Sequence, residues 1–235
     1  MPYLKRLLDV LIALVLLTLF APFIAILALF IFLYDFASPL YVAPRIGRDG
    51  VPFNMVKLRS MVIDADRKGG SSTSSRDSRI TPVGRYVRAL KLDEIMQFWN
   101  VLTGDMSIVG PRPNTPDGVA VYTETEKRLL SVRPGVTDFA SIVFADEGDI
   151  LKDHADADRA YDQLIRPWKS RLALFYLDHQ SVLLDFRLML LTAVATVSRA
   201  TALEAVAREL DNLGAPQELV DVARREQPLE AALPP

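Results

Sequence analysis

Residues 10–34 carry no formal charge over 25 consecutive positions, with Lys5, Arg6 and Asp9 just before them and Asp35 just after. Wound as an α-helix, that run covers roughly 37 Å, more than the ~30 Å hydrocarbon core of a bilayer. It is too long for the apolar part of a secretory signal, and no small-residue cleavage site follows it. Pro22 lies at its centre. Proline has no N–H to donate and its ring crowds the carbonyl one turn earlier, here Thr18, so a kink is expected there. Basic residues stand on both sides, Lys5 and Arg6 before and Arg45 and Arg48 after, so charge does not choose an orientation. Two arrangements meet these conditions. One is a kinked helix that crosses the membrane; the other is a re-entrant hairpin that dips into one leaflet and returns both ends to the same face.

Half of the 235 residues are hydrophobic and 24% are charged, which suits a sizeable core and excludes a largely disordered chain. With no cysteine and only two histidines, His154 and His179, disulfides, thiolate metal sites and a cysteine nucleophile are excluded. A metal here would be held by oxygen, which selects Mg²⁺ or alternatively Mn²⁺. The formal charge of −2 conceals an uneven distribution: residues 45–91 hold eleven Lys and Arg against four Asp and Glu. Such a segment calls for an anionic partner, whether phosphate, nucleic acid or a lipid surface.

Past the apolar run, residues 38–50 read as a Pro- and Gly-punctuated connector, 53–61 as a short extended segment and 69–79 as a mobile Gly/Ser loop. Thr81 is placed as the N-cap and Pro82 as the first residue of a helix reaching about Ala89. A second helix is expected from Leu92, because Ile95, Met96, Phe98, Trp99 and Leu102 recur at helical spacing. Residues 104–116 read as loop, 119–131 as helix, 133–135 as a turn and 136–144 as a strand. Two amphipathic helices follow over 158–180 and 181–199, the second apolar enough to lie on a membrane or to pack on the N-terminal apolar segment. The expected fold class is α+β, predominantly α-helical, with few short strands.

Four features bear on phosphate chemistry, and each also has an ordinary structural explanation. In an extended segment Lys57 and Arg59 project from one face about 7 Å apart, either as phosphate-binding cations or as charges guarding an edge strand. Arg85 and Arg88 sit three apart, on one side of a helix, where a solvated face would also put them. Arg112 stands between Pro111 and Pro113; rigid flanks reduce the entropy lost when a guanidinium grips a phosphate, although a surface turn would look the same. Asp93 and Glu94 open a helix, where acids complement the dipole. Adjacent carboxylates opposite several cations can also bind a divalent metal and supply a nucleophile.

The blocks KLRSM (57–61), LDEIMQFWNVLTGDMSIVGPRP (92–113) and RPGVT (133–137), behind an N-terminal apolar segment, resemble the bacterial sugar transferase family. These are the monotopic phosphoglycosyl transferases, and the resemblance, to the short form, covers about residues 7–199. It implies an enzyme of the bacterial plasma membrane, at the cytoplasmic face, that moves a sugar 1-phosphate from a UDP-sugar to polyprenol (undecaprenyl) phosphate and releases UMP. That reaction opens exopolysaccharide, O-antigen or glycoprotein assembly. The resemblance implies Asp93 as the nucleophile, Glu94 as its dyad partner in metal binding or proton transfer, and Mg²⁺ at Asp93 and Glu94. Arg88 and Arg112, with Lys57 or Arg59, would bind phosphate. It also favours the re-entrant hairpin, a helix–break–helix broken at Pro22, and divides the chain into a hairpin (1–37), a catalytic region (38–199) and an acidic C-terminal appendage (200–235). Two departures stand out. Ala21 takes the place of a serine found in some members, leaving the break to Pro22 and packing, and Asp138-Phe139 follows RPGVT where many members resemble Gly-Leu.

A competing reading is a membrane-anchored protein that binds anionic lipid or nucleic acid through residues 45–91. Against nucleic acid, that segment offers only Phe53 and Tyr86 for base stacking. A third reading, a glycosyltransferase that leaves UDP, is separated from the first by its nucleotide product. The expected partners are a UDP-sugar, polyprenol phosphate, membrane lipids and a second copy of the chain packed through residues 182–197, with no nucleic acid. The motifs do not name the sugar.

Overall fold

A computed structural model describes residues 2–67, 73–74 and 76–235. Much of the expected Gly/Ser loop, residues 69–72 and 75, lies outside the described residues. The apolar run forms α1 (Pro2–Asp35). The expected break into two helices is not observed, since α1 is assigned as one helix with Pro22 inside it. Proline removes a single donor, and in apolar surroundings every other backbone group is best satisfied by continuing the helix.

What is interrupted at that point is contact with the rest of the molecule. Near the start, Lys5 Nζ donates to Val109 O (2.9 Å) and Asp185 Oδ2 (2.5 Å), and Arg6 donates to the carbonyls of Val101 (2.6 Å) and Leu102 (3.1 Å). Asp9 accepts from Ser107 Oγ (2.8 Å) and Ile108 N (3.2 Å). Near the end, Ile24, Leu27 and Ile31 pack with Leu58, Val87 and Ile95, and Asp35 pairs with Arg59. Residues 18–23 between these anchors are all exposed. Both ends of α1 are therefore held by one body, and its centre stands clear of it.

β1 (Leu40–Ile46) and β2 (Pro52–Leu58) form an antiparallel hairpin with Leu40 opposite Leu58 and Ile46 opposite Pro52. The connector expected over 38–50 is thus mostly a strand; Pro44 is tolerated because the strand has a free edge. α2 (Pro82–Ala89) begins as expected, with Thr81 Oγ1 accepting from Gly84 N (2.9 Å). A Cβ on Gly84 would lie 1.8 Å from Ser60 O, so only glycine lets α2 press onto the chain leaving β2. A 3₁₀ turn (Leu92–Met96) then leads into α3 (Gln97–Thr103). Asn100 bonds the β2 backbone through Val56 N (2.9 Å) and Asn54 O (2.8 Å), fixing α3 against the hairpin.

β3 (Ser107–Val109) pairs in parallel with β4 (Gly135–Thr137). Two further expectations are corrected around this pair. Residues 119–131 are not one helix but α4 (Pro116–Ala120) and a 3₁₀ turn (Glu126–Ser131). Thr123 Oγ1 accepts from Glu126 N (3.1 Å) while Glu126 Oε2 accepts from Thr123 N (2.9 Å), a reciprocal cap that starts a new turn. The strand expected over 136–144 stops at Thr137, because Asp138 Oδ1 accepts from Ser141 N (2.7 Å) and caps α5 (Phe139–Val143).

α6 (Glu147–Leu151) and α7 (Ala157–Ala160) precede a π-helical turn (Tyr161–Ile165), α8 (Arg166–His179) and α9 (Val182–Val197). Pro167 has no N–H for the carbonyl of Gln163, which instead accepts from Ala232 N (3.0 Å). Trp168 Nε1 donates to Glu230 O (3.0 Å), so the C-terminal tail is docked on this turn. α10 (Arg199–Asn212) and α11 (Gln217–Arg224) bring Ala202, Val206, Leu210 and Val220 into the same core as Phe139, Leu172 and Leu188.

Candidate active site

Three elements converge on the Asp93-Glu94 pair. Lys57, near the end of β2, reaches Glu94 Oε1 with its Nζ at 3.2 Å. Arg112 Nη2 donates to the same oxygen, while its Nη1 donates to Val136 O at 3.0 Å. The backbone that aims Arg112 rests on a glycine pair. Gly135 N donates to Pro111 O (2.8 Å) and Gly110 N to Thr137 O (3.0 Å). A Cβ on Gly135 would lie 2.1 Å from Gly110 N, so the two strands approach too closely for any side chain. This explains why the GPRP and RPG segments carry glycine at these positions. Pro111 and Pro113 stiffen the Arg112 segment and line a small cavity with Gly47, Asn114 and Tyr122.

The two carboxylates differ sharply. Burial opposes the ionisation of Glu94, yet the charges of Arg112 and Lys57 and the Arg112 hydrogen bond outweigh it and hold its pKa well below the usual carboxylate range. Asp93 makes no hydrogen bond or ion pair among the described residues. Burial, together with the negative charge of Glu94, pushes its pKa up, against the pull of Lys57, Arg88 and Arg112. Glu94 is thus a fixed anion that organises two cations, and Asp93 is the unengaged carboxylate among them. Arg88, on α2, acts on Asp93 through its charge but makes no hydrogen bond among the described residues. Lys91 adopts a left-handed backbone (φ 53°) at the corner between α2 and the 3₁₀ turn, a conformation that non-glycine residues keep only where the surroundings enforce it.

Arg59 is not brought to this group. β2 ends at Leu58, and beyond it the guanidinium turns to Asp35 (2.5 and 2.6 Å) and Ser38 O (2.6 Å). It holds the end of α1 instead of a phosphate. Arg85 is exposed, and Pro22 lies in the exposed centre of α1.

A second set of residues adjoins Arg112. Lys169 of α8 pairs closely with Glu147 Oε2 and stands 5.3 Å from the centre of the Tyr161 ring. The charges of Lys169 and Arg112 act on each other, and both act on Asp138. Burial raises the pKa of Asp138 despite its two bonds from Ser141, and its Oδ2 is buried without a partner. Asp138 was visible in sequence only as a departure from the family pattern. Glu147 stood out only as part of the acidic stretch 146–149 that follows Asp138, and Tyr161 and Lys169, on separate elements far downstream of Arg112, had no signal at all.

Among the described residues no group of three or more His, Asp or Glu side chains gathers to hold a metal. Lys57 and Arg112 both meet Glu94 Oε1, so Glu94 Oε2 and both Asp93 oxygens make no hydrogen bond among the described residues. Such oxygens fit a magnesium ion whose other ligands are substrate phosphates and water, the usual way that ion is bound beside a nucleotide.

The family model for bacterial sugar transferases matches residues 1–199. A Bacillus subtilis (strain 168) protein, provisionally named an undecaprenyl-phosphate N-acetylgalactosaminyl 1-phosphate transferase, is 40% identical over 133 residues, covering 57% of this chain and 70% of that protein. The UDP-N-acetylgalactosamine-undecaprenyl-phosphate N-acetylgalactosaminephosphotransferase of Aeromonas hydrophila is 31% identical over 178 residues, 74% of this chain and 42% of that one. The UDP-glucose:undecaprenyl-phosphate glucose-1-phosphate transferase of Caulobacter vibrioides is 36% identical over 172 residues, 70% and 64% respectively. The chain therefore spans less than two thirds of the last two relatives. From the motif blocks, the matched residues and these relatives, the chain belongs to the bacterial sugar transferase family.

Proposed function

We propose that this chain transfers a sugar 1-phosphate from a UDP-sugar to undecaprenyl phosphate through a covalent intermediate on Asp93, releasing UMP. The observation that carries the reading is the asymmetry of the dyad, in which Glu94 is held by Lys57 and Arg112 while Asp93 is unengaged in a cationic setting. Asp93 attacks the phosphorus that bears the sugar. The bond from that phosphorus to the bridging oxygen breaks, and UMP leaves with the bridging oxygen and its electron pair. An oxygen of undecaprenyl phosphate then attacks the same phosphorus and returns Asp93 as a carboxylate. Arg88 and Arg112 stabilise charge on the phosphoryl oxygens, and Glu94 fixes Arg112 and Lys57 in place beforehand. Asp93 and Glu94 would hold a magnesium ion, which would supply the charge neutralisation that lets one anion approach another.

The lipid substrate sets the location. We place α1 as a continuous helix that bends about Pro22 and re-enters the cytoplasmic leaflet of the plasma membrane, with both ends at one face. Support comes from the anchoring of both its ends on one body and from the exposure of residues 18–23. A straight crossing would put Lys5 and Asp35 on opposite sides, although their partners, Asp185 and Arg59, belong to one body. The exposed Leu183, Phe186 and Leu190 of α9 and Trp99 of α3 offer further apolar surface to the lipid.

The test is nucleotide release by nanodisc-held protein given a panel of UDP-sugars, undecaprenyl phosphate and Mg²⁺, with Asp93→Asn as control. UMP formed by wild type and abolished in the variant is the expected result. UDP in place of UMP, or near-normal turnover by Asp93→Asn, would overturn the assignment.

A further inference from the structure

We propose that Tyr161, Glu147 and Lys169 form the subsite for the donor's sugar ring, and that the Glu147–Lys169 pair selects among UDP-sugars by hydrogen bonding to ring substituents. The proposal rests on the donor reading above. It starts from the contrast between two ion-paired groups that adjoin each other. Around the dyad, Arg88 and Lys91 have no ion-pair partner among the described residues, so that side of the site presents net positive charge suited to phosphates. Lys169 and Glu147 cancel each other's charge. A neutral pair draws phosphate weakly but offers directed donors and acceptors to hydroxyl or acetamido groups.

The pair also has capacity to use. Lys169 Nζ and Glu147 Oε2 meet each other, which leaves two N–H donors on Lys169 and the second oxygen of Glu147 without a partner among the described residues. Their side chains remain 21% and 31% exposed, so a ligand can reach these atoms. Tyr161 adds a half-buried ring and a phenol oxygen with no hydrogen bond among the described residues.

Placement is the third argument. Lys169 stands two turns from Tyr176 on one face of α8, and Tyr176 donates to Val109 O (3.3 Å), three residues before the Arg112 that grips Glu94; the charge of Lys169 acts on Arg112 along this face, so the wall stands beside the reacting phosphoryl group. The donor's sugar is attached to that phosphorus and must lie within one ring's width of it. The wall is also braced from behind. Tyr161 lies on the π-helical turn whose Gln163 carbonyl accepts from Ala232 N, and Trp168, next to Lys169, bonds Glu230 O. π-helical turns recur at functional sites, and a braced wall can discriminate between epimers where a loose one would adapt. Relatives named for N-acetylgalactosamine and for glucose match this chain to similar degrees, as expected if sugar choice lies outside the motif blocks.

The experiment compares wild type, Glu147→Gln and Lys169→Met in nanodiscs. It measures kcat/KM of UMP release for UDP-glucose, UDP-galactose and their N-acetylated counterparts, and inhibition by UDP, which has no sugar. We expect the ratio of kcat/KM between the best and poorest donors to change by about ten-fold or more, with UDP inhibition unchanged. Equal losses for every donor, or weaker inhibition by UDP, would overturn the proposal and leave the pair a structural or phosphate-binding one. Tyr161→Phe, which removes only the phenol oxygen, reads the same ratio should a charge substitution prevent folding. Wild type that releases no UMP from any donor would instead refute the donor reading itself, and this subsite with it.

Discussion

Replacing Gly135 with alanine would strike the active site through the backbone. The added Cβ would stand 2.1 Å from Gly110 N, 2.4 Å from Gly110 O and 2.6 Å from Gly110 Cα. All three are main-chain atoms, so no side chain can swing aside. Restoring an ordinary contact of about 3.4 Å means parting β3 from β4 by about 1.3 Å at that point. The bonds from Gly135 N to Pro111 O and from Gly110 N to Thr137 O, now 2.8 and 3.0 Å, would then exceed hydrogen-bonding range. Two lost backbone bonds at about 1 kcal/mol each, with about 1–3 kcal/mol of overpacking, give a loss of about 3–5 kcal/mol. For a chain of this size that lowers Tm by roughly 10 °C. Because Val136 O holds Arg112 and Arg112 holds Glu94, a shift of about 1 Å should also cut kcat/KM about 100-fold in the folded fraction. Thermal unfolding and UMP release in nanodiscs would measure both. Gly214→Ala is the control: its φ is +75° with nothing within 4 Å, so it should cost about 1 kcal/mol of backbone strain and leave turnover intact. A Gly135→Ala protein within 2 °C and two-fold of wild type would refute the reasoning.

Arg59→Ala should destabilise the protein by about 3 kcal/mol, since it strands a partly buried Asp35, while leaving the donor KM unchanged; Arg112→Ala should lower kcat/KM about 100-fold or more. A donor KM that rises in Arg59→Ala would return that residue to the phosphate site. The hydrogen bond from Arg59 holds the pKa of Asp35 below its ordinary value. Its stabilising contribution is therefore full above the usual carboxylate pKa, near ~3.9, and is lost as pH falls through the lower folded value; Asp35→Asn should flatten that acid limb in unfolding scans. The chain has no cysteine, so single cysteines at Tyr3 and Val51, both exposed, report topology cleanly. Both should resist an impermeant maleimide in intact cells and react after lysis; labelling of position 3 alone from outside would establish a crossing helix.

The sequence is informative wherever a signal acts within a turn or two of itself. The Thr81-Pro82 cap, the uncharged run of α1 and the rigid setting of Arg112 are all of this kind, and the motif blocks carried the family; the apolar face expected after Leu92 held only in part, since Trp99 is exposed and Gln97 and Asn100 are buried instead. Partners separated by long stretches of chain were not legible. Lys57 and Arg59 read as twin cations on one strand face, but the strand stops between them, sending one to Glu94 and the other to Asp35. The connector over 38–50 became β1 because β2 supplied its hydrogen bonds. Asp138, unremarkable beyond a change of residue type, stops a strand and starts a helix.

Composition and local spacing alone determined that this chain carries an apolar run of membrane length and a cation-rich segment, and that it lacks thiol chemistry. Only the tertiary structure decided which carboxylate is left unengaged and which arginine anchors α1. It also decided that Glu147 and Lys169 meet beside Arg112. The reason is physical: capping, periodicity and φ restriction are properties of neighbouring residues. Burial, ion pairing and the pKa shifts that follow depend on which distant segments the packed chain returns to the same place.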